Sequence, residues 1–144
     1  MKYFVFGPTY IIRLDPGEKI VETLRALCER DEIGGGYFSG IGSAGDAEIG
    51  WFDAAAKTYV WTEVSGPCEI VSLTGNITKA DGRPHVHAHV SLGGPDDTIR
   101  GGHLKEAVVA VTCEIVLVRF RDDIARTKDE ASGFWKLALE PGED

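Results

Sequence analysis

The alternation of apolar and polar residues is sharpest between Pro84 and Leu92. Val86, Ala88, Val90 and Leu92 fall on one side of an extended chain, while His85, His87, His89 and Ser91 fall on the other. A period of two sustained over such a stretch predicts a strand with one buried face. Just upstream, Asp81-Gly82 is a two-residue hairpin signal. A turn there sets His85 opposite Thr78, His87 opposite Asn76, His89 opposite Thr74 and Ser91 opposite Ser72. In that register the polar face stays polar across both strands, and Val71, Leu73 and Ile77 join Val86, Val90 and Leu92 on the other face.

Elsewhere the pattern is read in the same way. Residues 2–14, rich in Tyr, Phe, Val and Ile, predict a strand broken or bent at Gly7-Pro8. A helix is predicted over about 16–31. Asp15 caps it, Pro16 takes the first helical position, Glu18 completes a capping-box-like pattern, and Ile20, Leu24, Leu27 and Cys28 form an apolar stripe. Past Gly34-Gly35-Gly36, strands are predicted at about 36–42, 46–53, 58–65, 67–78, 84–92, 107–120 and 134–139. No helix-length spacer separates them, so pairing is mainly antiparallel. The predicted fold class is α+β: a curved antiparallel sheet or barrel carrying one principal helix, as a single domain over residues 1–144.

Composition narrows the partners more than the fold. At 144 residues a single domain buries roughly 68–70% of its unfolded surface, so neither metal nor disulfide is required for folding. Cys28, Cys68 and Cys113 are odd in number and form no CxxC pair, which predicts buried reduced thiols. The net charge of −8 argues against direct nucleic-acid binding, which needs a positive face to displace counterions. The one dense basic stretch, Arg119 to Lys128, is diluted by Asp122, Asp123 and Ile124. Asp81 to Pro84 reads DGRP, where an AT-hook would need an arginine in place of the aspartate. The N-terminus lacks a basic leader and no long apolar run occurs, so a soluble cytoplasmic protein with no membrane partner is expected.

One motif is a decoy. Gly40 to Gly45 reads GIGSAG, a formal match to the dinucleotide fingerprint, but the following Ala47, Ile49 and Trp51 alternate as in a strand. Without a helix N-terminus to receive a pyrophosphate, these glycines are expected to form a tight β-turn instead.

The histidines carry the chemistry. Imidazoles two residues apart on a strand lie roughly 6–7 Å apart at Cα and can converge on a cation with bonds of about 2.0–2.1 Å. The remaining histidine, His103, follows Gly101-Gly102, a pair that lets the backbone turn sharply and deliver the ring. Three histidines with a vacant fourth position suit an exchangeable or catalytic divalent metal, zinc first, with iron, nickel or manganese open. The alternative is a solvated polar strand face whose histidines simply titrate near pH 6.5.

The run from Tyr10 to about Phe120 resembles the Plants and Prokaryotes Conserved (PPC) domain, whose bacterial and archaeal members are often described as candidate DNA-binding proteins. The matching residues are Leu14-Asp15-Pro16-Gly17-Glu18, Ser39-Gly40-Ile41-Gly42-Ser43-Ala44 and Gly50-Trp51-Phe52-Asp53. Further along come Glu69-Ile70-Val71-Ser72-Leu73-Thr74-Gly75-Asn76-Ile77, His87-Ala88-His89-Val90-Ser91-Leu92 and Gly101-Gly102-His103-Leu104. The resemblance implies an α+β homotrimer in which His87, His89 and His103 occupy the family's zinc positions. His85 stands as a further or substitute ligand. Plant relatives carry AT-hooks ahead of the domain, and none occurs in this sequence.

Two function classes follow. One is a metal-dependent enzyme in which a carboxylate moves protons, with Glu69 and Glu114 as candidates because each interrupts an apolar strand. The same glutamates would serve as well in an edge or interface ion pair. The other class is a trimeric association or regulatory module with a structural metal or none.

Overall fold

The computed structural model describes residues 1–139; residues 140–144, which the single-domain reading includes, lie outside the described residues. Its organising unit is the hairpin of β5 (Cys68–Ala80) and β6 (Arg83–Gly93). Asp81 and Gly82 both adopt positive φ, 50° and 75°, as a type I′ turn requires. The pairs His85–Thr78, His87–Asn76, His89–Thr74 and Ser91–Ser72 all form. Val86, Ala88, Val90 and Leu92 are buried with Leu73 and Ile77 in the core. Val71 does not join them: a register shift between Ile70 and Ser72 turns it outward, and it is exposed.

Around this hairpin the chain closes a barrel. β1 (Lys2–Phe6) and β2 (Thr9–Leu14) form a first hairpin, with the break at Gly7-Pro8. β3 (Gly36–Asp53) pairs with β4 (Thr58–Val64), with β5 and with β7 (Ile99–Arg119), while β7 also pairs with β2 and β6. The circuit β3–β5–β6–β7–β3 is closed and antiparallel throughout, which removes the sheet edges in its middle. β8 (Arg126–Lys128) and β9 (Trp135–Leu137) form a small separate ribbon. The single helix of the described residues, α1 (Ile20–Arg30), packs on β6 and β7 and buries Ile20, Val21, Leu24, Leu27 and Cys28. None of the described helices is long and apolar enough to cross a membrane. All three cysteines are free and buried.

Several expectations are corrected. Segments 36–42 and 46–53 are one strand, because GIGSAG makes no turn. A bulge between Gly40 and Gly42 absorbs the irregularity, and a Cβ at Gly40 would stand 2.8 Å from the Glu114 carbonyl oxygen. These glycines serve close strand approach. Likewise Gly101-Gly102 does not turn; the last long strand starts at Ile99 instead of 107. A Cβ on Gly102 would meet the Gly50 carbonyl oxygen at 2.6 Å, so that glycine lets β3 and β7 converge where both barrel and site need it.

The helix starts at Ile20 with Lys19 at its N-cap position, four residues later than expected for its first helical residue, and Asp15 does not cap it. Asp15 and Glu18 bond reciprocally, Asp15 N–H to the Glu18 carboxylate and Glu18 N–H to the Asp15 carbonyl, so the capping-box residues close a turn ahead of the helix. The free N–H groups of the first turn are met by a distant residue. The Glu106 carboxylate, on β7, accepts from Val21 at 2.8 Å and Glu22 at 3.0 Å. Glu106→Ala should therefore lower the unfolding free energy by about 1–2 kcal/mol in urea titrations. Asp15→Ala, which loses only an exposed pairing with Arg13, should stay within about 0.5 kcal/mol of wild type.

Candidate metal centre and its adjoining cavity

β6 brings His87 and His89 to one face, and β7 brings His103 to the same place because His89 and His103 are direct cross-strand partners. One ring nitrogen from each of the three histidines lies within 4.8 Å of the others. Two nitrogens bonded to one tetrahedral ion at about 2.0–2.1 Å stand about 3.3 Å apart, so small ring rotations suffice to close on a cation. The ring centroids are 5.3 Å apart for His87–His89, 5.0 Å for His87–His103 and 5.5 Å for His89–His103. Neutral nitrogen donors in this number fit a divalent transition metal, and no carboxylate or thiol joins the group among the described residues. His89 is exposed, and His87 and His103 are half-buried.

Burial keeps the inner rings neutral. Desolvation, reinforced by neighbouring imidazoles and by Arg126, pulls both His87 and His103 down to about 4. His85 is lowered too, chiefly by burial and then by Arg126. It lines, with His87 and His103, a cavity of about 320 Å³ and stands outside the converging group.

That cavity opens next to His87 and His103, with Phe52, Tyr59, Trp61 and Phe134 among its walls. The Tyr59 ring packs on His103 at 4.7 Å and on Trp61 at 4.7 Å, and its hydroxyl lies 3.5 Å from His103 Nδ1. Burial raises the Tyr59 phenol, so it stays protonated. Phe134 meets Phe52 edge-on at 5.1 Å. Trp51, the neighbour of Phe52, points outward and is exposed.

The residue that sequence reasoning missed is Arg126. The segment after β7 folds back over β5, tied by Lys79 N–H to the Ile124 carbonyl at 2.7 Å and Ile124 N–H to the Gly34 carbonyl at 3.1 Å. It buries Arg126 to 7% exposure. The guanidinium donates from Nε to Thr78 Oγ1 (2.9 Å), from Nη1 to the Trp135 carbonyl (2.8 Å), and from Nη2 to Asn76 Oδ1 (2.9 Å) and His87 Nδ1 (3.1 Å). No sequence signal pointed to it, because the need for a partner at Thr78 shows only once the fold buries that hydroxyl opposite His85. Glu69 and Glu114, by contrast, are exposed and line other parts of the surface.

A closed antiparallel barrel carries a three-histidine group that could hold a metal ion, beside a cavity with aromatic walls. The chain belongs to the Plants and Prokaryotes Conserved (PCC, also written PPC) domain family, whose model matches residues 1–121. It is similar to a metal-containing protein from Archaeoglobus fulgidus, with 36% identity, TM-score 0.85, and 97% of this chain and 100% of that one covered. It is also similar to a plant- and prokaryote-conserved protein from Pyrococcus horikoshii, with 31% identity, TM-score 0.83 and 96% of each chain covered. A candidate DNA-binding protein from Bacteroides thetaiotaomicron is 29% identical, with TM-score 0.91, covering 94% of this chain and 95% of that one. No curated protein matches it.

In metal-free protein the unfolded chain protonates His87 and His103 near pH 6.5 and the folded chain only near 4. Their contribution to stability is thus complete above about pH 6.5 and is lost as pH falls toward 4. Thermal melts of metal-free protein across that window should show a falling Tm, with a shallower fall in the His87→Ala/His103→Ala double variant.

Proposed function

We propose that the protein is a homotrimer binding a divalent metal, zinc before other ions, through His87, His89 and His103, and that it acts on a small molecule held in the adjoining cavity. The observation that carries this reading is the convergence of three ring nitrogens within 4.8 Å at the mouth of that cavity. The metal-containing relative from Archaeoglobus fulgidus supports it. Bound there, the cation would supply Lewis-acid polarisation of a carbonyl oxygen or an acidified water.

The protein's own groups supply the rest. His85, kept neutral by burial, offers a ring-nitrogen lone pair as proton acceptor. The aromatic walls restrict bulk water, and before a cation binds Arg126 holds the His87 ring through Nδ1. Glu69 and Glu114 have no part in this scheme, because both face solvent away from the histidines.

The trimer reading is supported by an outward apolar surface. Ile11, Ile41, Val71 and Val116 are exposed and line one groove, with Ile41 at 60% exposure and Glu114 beside them. Apolar clusters of this kind are typical of association faces. They also favour a second reading, an association module that meets other proteins or DNA-bound partners, in line with the name given to the Bacteroides thetaiotaomicron relative. Direct contact with DNA is opposed by the −8 net charge.

Elemental mass spectrometry on untagged protein purified without chelator should give about one transition metal per chain. His103→Ala should weaken retention by more than the roughly 10–100-fold that loss of an outer hydrogen-bond partner costs, and His85→Ala should retain the metal. A ratio near zero that persists after zinc is offered would overturn the metal reading. Light scattering after size exclusion should report three chains, and Ile41→Glu should shift the particle toward monomer; a wild-type monomer would overturn the trimer.

A further inference from the structure

We infer that the cavity beside the histidines is a binding site for a small organic acid, whose carboxylate is received by Arg126 and whose body lies against the aromatic walls. The inference rests on the proposed metal-site reading for its context and on separate observations for its content.

The first observation is a buried charge without a counter-ion. Arg126 is 7% exposed, and its hydrogen-bond acceptors, Thr78 Oγ1, the Trp135 carbonyl, Asn76 Oδ1 and His87 Nδ1, are all neutral. None of the ion pairs among the described residues includes it. A guanidinium does not give up its proton, and a desolvated ion is costly unless an opposite charge meets it. Among the described residues the cavity lining supplies none: Lys57 and Arg126 are present with three histidines, and no aspartate or glutamate is. In a chain with 23 acidic and 15 basic residues, the described lining of this cavity is free of acid groups. A positive concavity in an acidic protein selects an anion.

The second observation concerns where the free donors are. Guanidinium has five N–H groups, of which three are given to oxygen acceptors and one to His87 Nδ1. A cation bound to His87 removes that last acceptor whichever ring nitrogen it uses. Either the Nδ1 lone pair goes to the metal, or the metal takes Nε2 and the ring proton resides on Nδ1. In both cases Nη1 and Nη2 each hold an N–H without an acceptor. Two terminal guanidinium N–H groups match the two oxygens of a carboxylate. Metal and acid therefore favour one another's binding, because the metal releases the donor that the acid uses.

The third observation is size and wall chemistry. About 320 Å³ lies at the small end of ligand cavities, and Phe52, Tyr59, Trp61, Phe134 and Trp135 give it flat apolar sides. A compact acid with a planar or apolar body fits this better than a nucleotide or a polyanion.

The test compares benzoate with its neutral isostere benzamide, by calorimetry and by chemical-shift perturbation, in zinc-loaded and chelator-stripped protein, with inorganic phosphate as a further probe. Benzoate should bind at least tenfold more tightly than benzamide, and more tightly than phosphate, with a further gain when zinc is present. Arg126→Met should abolish the preference over benzamide. Should that variant fail to fold, Phe134→Ala takes its place: it should weaken benzoate at least fivefold while leaving acetate unchanged.

Equal binding of benzoate and benzamide, or tighter binding of phosphate than benzoate, would overturn the inference even with one metal per chain. A preference for benzoate in protein that retains no metal would uphold it while the metal reading fails.

Discussion

The register between β6 and β7 is the constraint on which the rest depends. His89 lies opposite His103 across that pairing, and His87 follows two residues along the same face. Side chains alternate along a strand, so a slip of a single residue would send His103 into the core and Leu104 out to the histidines. Two features hold the register. The type I′ turn at Asp81-Gly82 fixes β6 against β5. The absence of a side chain at Gly102 lets β7 close onto Gly50 of β3, which seals the barrel beside the site. The core face of the hairpin, from Val86 to Leu92, then makes any other alignment expose apolar surface.

The electrostatics of the site follow from what the barrel encloses. The half-buried rings lose solvation and stay neutral, so protons contest their lone pairs only as pH falls toward about 4. Arg126 contributes a fixed positive charge from a different part of the chain, held by β5 through Thr78 and Asn76. The same β5 residues that face His85 and His87 in the hairpin therefore also position the guanidinium. This ties ring orientation, cavity wall and local charge to one pair of strands.

The hairpin, the histidine face and the helix stripe were legible in the sequence because each follows from a local period or a turn dipeptide. His87, His89 and His103 converge as the spacing and the family resemblance suggest, although the reason given for His103 was wrong. Gly101-Gly102 looked like a turn because glycine's freedom and glycine's small size leave the same trace in a sequence. Only the partner strand reveals which one is used. The helix start was misplaced for a related reason. Asp15 and Glu18 do form the reciprocal bonds of a capping box, but the N–H groups that needed capping are reached by Glu106, far along the chain. Arg126 was invisible because a charged residue in a mixed basic and acidic stretch reads as surface until the fold buries it. Glu69 and Glu114 drew attention as interruptions of apolar strands, yet on a barrel wall an outward position is polar by default.

The return of the chain after β7 divides the site between two stretches of sequence. The histidines lie within residues 1–121, which the family model spans, whereas Arg126, Phe134 and Trp135 of the cavity wall come after it. Nothing in the pairing of β3, β5, β6 and β7 depends on those later residues. Changes at Phe134 can therefore remake the wall while Arg126 keeps its contact with His87. In such a modular arrangement, relatives sharing the same three histidines are free to diverge in what they admit, and selectivity can evolve without reopening the problem of holding the ion.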